Sequence, residues 1–152
     1  MIGSKILLVD DEAVFATNMA KLLNDRGYWV TAVFSGEDAI QELEKQDFDV
    51  VVLDLKMPGM DGMATLKEIT KLELFTQTLV LTGHGTIDTA KEALKLGAYD
   101  YLTKPCEIDE LVDKIEGAWK EKDAHVKEAL NQNIQKIVES PSSVFGLFPK
   151  KK

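Results

Sequence analysis

The sequence is poor in several features that would assign a protein to a class. It contains one cysteine, Cys106, so no internal disulfide can form, as is typical of chains from reducing compartments. No apolar run approaches the roughly 20 residues of a membrane-spanning helix, and residues 1–5 lack the apolar stretch of a secretory signal. We therefore expect a cytoplasmic protein with no membrane segment. Neither G-x-G-x-x-G nor a Walker A sequence occurs, which disfavours a nucleotide-binding module.

Basic residues are also in the minority. The chain has 18 Lys and Arg against 26 Asp and Glu, a formal net charge of −8. Residues 1–122 carry −10 and residues 123–152 carry +2. An acidic surface repels the phosphate backbone, so we expect no direct binding of nucleic acid. The length of 152 residues and the hydrophobic fraction of 45% suit one domain with an appendage.

Short apolar runs alternate with segments of helical spacing about five times along the chain. Two of the runs, Ile6–Val9 and Val50–Leu53, are continuous, which is typical of strands buried on both faces. Alternating elements with short, right-handed connections form parallel sheets covered by helices. The predicted fold is therefore α/β, a doubly wound, flavodoxin-like parallel sheet of five strands flanked by five helices. The other predicted strands are Tyr28–Val33, Thr78–Leu81 and Tyr99–Leu102, and helices are expected from near Glu12, Ser35, Met63, Thr86 and Ile108.

The pattern changes after about Lys120. An apolar stripe continues at nearly heptad spacing, with polar residues between its members. We interpret residues 1–122 as one domain and residues 123–152 as a helical extension with a flexible tail, serving as a linker or dimerisation element. A helix that lies on its own domain is the alternative. The break is predicted at Ser140–Ser143, and the stripe consists of Trp119, Val126, Leu130, Ile134 and Ile137.

Polar side chains follow the predicted strands at the points where the strands end. Asp10 and Asp11 follow the first strand and Asp54 follows the third. Because the carboxyl ends of parallel strands meet at one edge of a sheet, we expect these acids to converge. Clustered carboxylates repel one another, and Mg²⁺ prefers oxygen ligands. The sequence therefore predicts a magnesium site formed by the three acids and a backbone carbonyl just after Asp54, that of Lys56.

Such a site suits phosphoryl chemistry. An aspartate can attack a phosphoryl group and form an acyl phosphate, and a metal ion neutralises the charge of both reactants. Lys104 and Thr82, which follow the fifth and fourth runs, would reach the same edge. Lys104 would place its positive charge on the transferred group, and the Thr82 hydroxyl would donate to a phosphoryl oxygen.

These residues, in this order, resemble the receiver domain of two-component response regulators, the CheY-like family. The similarity covers about residues 4–122. Five motifs in the expected order are specific, although each one alone is weak. The matching residues are Asp10, Asp11, Asp54, the loop Met57–Gly62, Thr82, Tyr101 and Lys104–Pro105.

The resemblance implies a function in phosphorylation-dependent signalling. Asp54 would accept a phosphoryl group from a sensor histidine kinase or a phosphotransfer protein, while Asp10 and Asp11 hold Mg²⁺. Thr82 and Tyr101 would be the switch residues. The surface of the fourth helix, fifth strand and fifth helix would then engage a downstream output protein or domain. The bond before Pro105 is expected to be cis.

The resemblance also implies a phosphoacceptor that catalyses its own phosphorylation and dephosphorylation, not an enzyme with a separate substrate. The alternative is a magnesium-dependent phosphohydrolase with an aspartyl nucleophile. Such enzymes usually carry a second acid two residues after the nucleophile. That position holds Lys56 here, which counts against a hydrolase.

Overall fold

The computed structural model describes residues 3–139, which form five strands and five helices. The strands are β1 Lys5–Val9, β2 Trp29–Val33, β3 Val50–Leu53, β4 Gln77–Thr82 and β5 Asp100–Thr103. The helices are α1 Ala13–Asp25, α2 Gly36–Lys45, α3 Gly62–Lys71, α4 Ile87–Lys95 and α5 Ile108–Glu139. All pairings are parallel, in the order β2-β1-β3-β4-β5. The predicted doubly wound, flavodoxin-like fold is therefore confirmed.

The helix starts follow from local hydrogen bonding. Ser35 caps α2, because its hydroxyl accepts a hydrogen bond from the Asp38 amide at 3.1 Å. Thr86 caps α4 in a reciprocal arrangement with Thr89.

Strand β5 starts and ends one residue later than predicted, a small shift of a kind common at strand ends.

Apolar side chains cover both faces of the sheet. On β1, Ile6 and Leu8 join a core cluster with α1 and α5, whereas Leu7 and Val9 join a second cluster with α2, α3 and α4. All four side chains are at most 1% exposed. This alternation explains the continuous apolar runs in the sequence, because every residue of a central strand meets a helix on one side or the other.

Helix α5 runs without interruption through the predicted boundary at residue 122. The expected extension is helical as far as Glu139. Lys122 anchors its first part through an ion pair of 2.6 Å with Asp49. Further along, Leu130, Ile134 and Val138 are more than half exposed. The predicted break and tail, from Ser140 onward, lie outside the described residues.

None of the helices within residues 3–139 combines the length and the apolar character needed to cross a membrane.

Gly62 brings the start of α3 against the backbone that follows β3. Its amide donates a hydrogen bond to the Leu55 carbonyl at 2.9 Å. A Cβ atom on Gly62 would lie 2.2 Å from Leu55 Cα and 2.3 Å from the Asp54 carbonyl oxygen. Both neighbours are backbone atoms, which cannot rotate away as a side chain could. Only glycine fits this approach, and the approach helps to fix the peptide after Asp54.

We predict that Gly62→Ala lowers the free energy of unfolding by about 2–3 kcal/mol, because the new methyl group forces the two backbones apart. Urea denaturation measures this. Gly83→Ala is the matched control, since a Cβ there has its nearest neighbour, Lys104 Cβ, at 3.8 Å. The control should change stability by less than about 0.5 kcal/mol. Equal urea midpoints for the two variants would contradict the packing argument.

Candidate functional site

Most of the predicted site residues lie at the carboxyl edge of the sheet, where backbone hydrogen bonds continue beyond the strands. The Asp10 amide donates to the Val33 carbonyl at 3.1 Å, and the Asp54 amide donates to the Val9 carbonyl at 2.9 Å. The Lys104 amide donates to the Thr82 carbonyl at 2.9 Å. These bonds tie each functional residue to the neighbouring strand. The placement of the site therefore follows from the register of the sheet.

Three carboxylates form a tight group at this edge. Asp10, Glu12 and Asp54 each offer an oxygen atom, and these oxygens all lie within 4.8 Å of one another. Asp10 and Asp54 are 1% exposed, whereas Glu12 is exposed. The Asp10 carboxylate also accepts a hydrogen bond from the Glu12 amide at 2.9 Å. This bond places the start of α1 beside the acids.

Lys104 lies among the three acids. Its Nζ atom is 2.6 Å from Asp10 Oδ2, 3.7 Å from Asp54 Oδ2 and 3.8 Å from Glu12 Oε1. The lysine side chain is only 12% exposed. One ammonium group thus faces three carboxylates, which leaves the group with an excess of negative charge.

Burial and the neighbouring charges both shift pKa values in this group. Burial raises the pKa of Asp10, and the hydrogen bonds from Lys104 and from the Glu12 amide offset this only in part. Burial alone would lower the pKa of Lys104, but the hydrogen bond to Asp10 and the charges of Asp54 and Glu12 outweigh it, so that this pKa lies above its ordinary value. The raised pKa of Asp10 thus reflects burial, and the raised pKa of Lys104 reflects the carboxylates around it.

In the described part of the chain, Asp54 carries the one buried side-chain oxygen or nitrogen atom that has no hydrogen-bond partner. Its Oδ1 atom accepts a hydrogen bond from the Lys56 amide at 3.2 Å, whereas Oδ2 is buried without a hydrogen-bond partner. Leaving a buried acceptor unpaired costs about 1–3 kcal/mol. An oxygen-rich group of acids with a free buried oxygen fits a hard cation such as Mg²⁺, and the free oxygen is available for a chemical reaction.

Thr82 and Tyr101 lie on the neighbouring strands β4 and β5. The Thr82 side chain is fully buried, and its Oγ1 atom accepts a hydrogen bond from the His84 amide at 3.2 Å. Tyr101 is half-buried, with its hydroxyl 3.4 Å from Thr89 Oγ1. A Cβ atom on Gly85 would lie 1.4 Å from that hydroxyl oxygen. The Tyr101 ring therefore occupies space that the glycine leaves open in the loop between β4 and α4.

The structure brings together most, but not all, of the residues predicted for the site. Asp10, Asp54 and Lys104 are in contact or nearly so, and the Lys56 peptide lies beside Asp54. Asp11 is half-buried and is not a member of the three-carboxylate group. The bond between Lys104 and Pro105 is cis, as expected.

Two neighbours of Lys104 were missed by the sequence argument. Glu12 was assigned to the start of a helix, although its place directly after two acids at a strand end was a usable signal. Phe15 lies three residues further along the same helix, and its ring centroid is 4.0 Å from Lys104 Nζ. No spacing rule connects Phe15 with Lys104, which lie far apart in the chain.

Comparison with known proteins gives the family of the chain. Residues 6–116 match the family model of the response regulator receiver domain. The chain is 42% identical over 123 residues to the transcriptional regulatory protein ZraR of Salmonella typhimurium, which covers 81% of the chain and 27% of ZraR. It is 37% identical over 138 residues to the transcriptional regulatory protein FixJ of Bradyrhizobium diazoefficiens, covering 90% of the chain and 67% of FixJ. The chain thus spans about a quarter of the length of the ZraR relative.

Solved structures agree with the sequence comparisons. The receiver domain of a putative Luxo repressor protein from Vibrio parahaemolyticus superimposes with a TM-score of 0.77 at 31% identity, covering 82% of this chain and 95% of that one. NtrX from Brucella abortus superimposes with a TM-score of 0.78 at 29% identity, covering 91% of this chain and 30% of that one. With its fold, its carboxylate group and the family match over residues 6–116 in agreement, the chain belongs to the response regulator receiver family.

Proposed function

We propose that Asp54 accepts a phosphoryl group from the phosphohistidine of a sensor histidine kinase or phosphotransfer protein, and that this reaction controls an output partner. The observation that carries the proposal is the state of Asp54 Oδ2. This atom is buried, lacks a hydrogen-bond partner and lies 3.7 Å from the ammonium of Lys104. A nucleophile and a cation that can stabilise the transferred group are thus held side by side.

The positions of these groups support the following reaction. Asp54 Oδ2 would form a bond to phosphorus while the P–N bond of the donor breaks, and the imidazole nitrogen would keep the electron pair. Lys104 is close enough to Oδ2 to bind an oxygen of the arriving phosphoryl group. Asp10, at 2.6 Å, keeps the ammonium at this place before the phosphoryl group arrives. Thr82 would contribute its hydroxyl from the end of β4.

Mg²⁺ is the cofactor that we propose for this site. Asp10, Asp11, Asp54 and the backbone carbonyl of Lys56 would hold it, and Glu12 adds an exposed carboxylate to the same group. When bound, Mg²⁺ supplies positive charge that offsets the charge of the acids and of the phosphoryl oxygens. The excess negative charge of the group supports this assignment.

Thr82 and Tyr101 are the proposed switch residues. Thr82 Oγ1 accepts a backbone hydrogen bond from the His84 amide, and its hydroxyl proton could at the same time be donated to a phosphoryl oxygen. Tyr101 lies against the loop that carries His84 and Gly85, so a shift of this loop would change the space available to the ring. A coupling of about 1–3 kcal/mol would be typical for such a switch.

The proposed output surface is formed by α4, β5 and α5. Ile87 and Leu94 on α4 are 76% and 46% exposed, which suits contact with a protein partner. The ZraR and FixJ relatives are transcriptional regulatory proteins longer than the matched region. This supports a downstream output protein or domain as the partner, and it supports a signalling function over the phosphohydrolase alternative.

We further propose that residues 123–152, beyond the receiver domain at 1–122, act as a linker that pairs with a second copy of the chain. The described part of this segment carries Leu130, Ile134 and Val138 along one side of α5, spaced four residues apart and exposed by 56%, 57% and 70%. Pairing two such stripes would bury apolar surface that a lone helix leaves in water.

The first prediction of the proposed function concerns phosphorylation. Incubation with acetyl phosphate and Mg²⁺ should add one phosphoryl group to the chain, because acetate can leave as the P–O bond to Asp54 forms. Intact mass spectrometry measures the product. Asp54→Asn should abolish it, and chelation of Mg²⁺ with EDTA should reduce it at least about tenfold.

The control for this experiment is Asp47→Asn. Asp47 is an exposed acid before β3, at the opposite end of the sheet, and its variant should be phosphorylated like the wild type. Undiminished phosphorylation of Asp54→Asn would show that another residue is the acceptor.

A second prediction concerns the charge of the carboxylate group. Without divalent cations, Asp10→Asn should raise the melting temperature by a few degrees, because removing one of three crowded charges at a buried position outweighs the loss of one of the two hydrogen bonds that the Asp10 carboxylate accepts. With excess MgCl₂, the wild type should gain more stability than the variant, since ligand binding stabilises the folded state. Thermal unfolding by circular dichroism measures both. Equal gains in melting temperature for the wild type and Asp10→Asn on MgCl₂ addition would argue against Asp10 as a ligand.

A third prediction concerns the linker. In sedimentation experiments the wild-type chain should show the mass of a dimer, at least after phosphorylation. The double variant Leu130→Ser/Ile134→Ser should sediment as a monomer under the same conditions. Gln132→Ser, on an exposed polar position of the same helix, is the control. Monomer mass for the wild type with and without phosphorylation would exclude the pairing.

A further inference from the structure

Lys104 has an aromatic neighbour that the receiver chemistry described above does not use. The Nζ atom lies 4.0 Å from the centroid of the Phe15 ring. Phe15 is the third residue of α1 and is half-buried. It packs against the core cluster shared by α1 and α5. The ring is therefore held by the core on one side and meets the ammonium on the other.

The ring contact adds to the hydrogen bond from Lys104 to Asp10, because the lysine side chain is flexible and has competing partners. Asp10 and Asp54 draw the ammonium into the site, whereas Glu12, whose side chain is 54% exposed, draws it toward solvent. A lysine stem has four rotatable bonds and can follow either direction. A ring face within about 6 Å attracts a cation, and it also blocks the space that the ammonium would otherwise enter.

We propose that Phe15 is a positioning residue that holds the Lys104 ammonium between Asp10 and Asp54, so that phosphoryl transfer to Asp54 depends on the aromatic ring. The expected effect on the phosphorylation rate rests on the proposed function of Asp54. The contact between the Phe15 ring and the Lys104 ammonium does not depend on that function. The two parts can therefore fail separately.

The chain offers a matched comparison at the other end of the sheet. Lys5 Nζ lies 5.3 Å from the centroid of the Phe48 ring, and Phe48 is 2% exposed. Replacing Phe48 likewise removes an aromatic ring that is buried in the core and lies next to a lysine, Lys5. It does so at the amino end of β1 and β3, away from the carboxylates. Phe48→Leu thus controls for lost packing.

The experiment compares Phe15→Leu, which keeps an apolar side chain, with Phe15→Trp, which keeps an aromatic face. The first measurement is NMR of the Lys104 ε-methylene protons in protein without phosphodonor. A ring face above them should shift these signals upfield in the wild type and in Phe15→Trp, and the shift should be lost in Phe15→Leu. This measurement needs no phosphorylation.

The second measurement is the initial rate of phosphorylation by acetyl phosphate with Mg²⁺. Phe15→Leu should be slower by about five- to tenfold, as expected for loss of a partly desolvated cation–π contact. Phe15→Trp should recover most of the rate, and Phe48→Leu should phosphorylate at the wild-type rate even where its melting temperature falls. If Phe15→Leu does not fold, Phe15→Met makes the same comparison with a more adaptable side chain.

Three outcomes would overturn the inference: unshifted Lys104 signals in the wild type, a wild-type phosphorylation rate in Phe15→Leu, or equal losses in Phe15→Leu and Phe15→Trp. A wild-type chain that takes no phosphoryl group overturns the proposed function of Asp54 instead. In that case the NMR comparison alone decides whether Phe15 holds Lys104.

Discussion

The hydrogen-bond ladder of the parallel sheet is the constraint on which the rest of the molecule depends. Because β1, β3, β4 and β5 run in one direction, the residues that follow them emerge at one edge. The ladder continues past the strand ends through the amides of Asp10, Asp54 and Lys104. A shift of one strand by a single residue would turn its side chains to the opposite face and remove its functional residue from the site.

The electrostatic character of the site follows from this constraint. The ladder holds Asp10 and Asp54 in a buried position whether or not their charges are compensated, and Lys104 compensates them only in part. The result is a group that favours cations and in which one buried carboxylate oxygen, Asp54 Oδ2, has no hydrogen-bond partner. Buried charge that the protein compensates only in part is common at functional sites, where a bound ligand or a reaction neutralises it. The stability of the domain comes instead from the two apolar clusters on either side of the sheet.

The sequence was sufficient to predict the features that depend on local pattern. Continuous apolar runs gave the buried strands, and Ser35 and Thr86 gave the starts of two helices, since their side chains bond to amides only three residues away. The convergence of Asp10, Asp54 and Lys104 followed from the parallel topology. The contact of Phe15 with Lys104 could not be predicted, because it depends on how α1 rotates against the sheet. The approach of Gly62 to the Asp54 carbonyl likewise appears only when two backbones are placed in space.

The continuity of α5 has a mechanical consequence. Its 32 residues make a rod of about 48 Å at the helical rise of 1.5 Å per residue. The ion pair between Lys122 and Asp49 holds the rod near its middle, at the end of the sheet opposite the carboxylates. A tilt of about 10° at that point would displace the end of the helix by roughly 4 Å. The helix can therefore work as a lever, converting a small rearrangement inside the domain into a larger movement outside it.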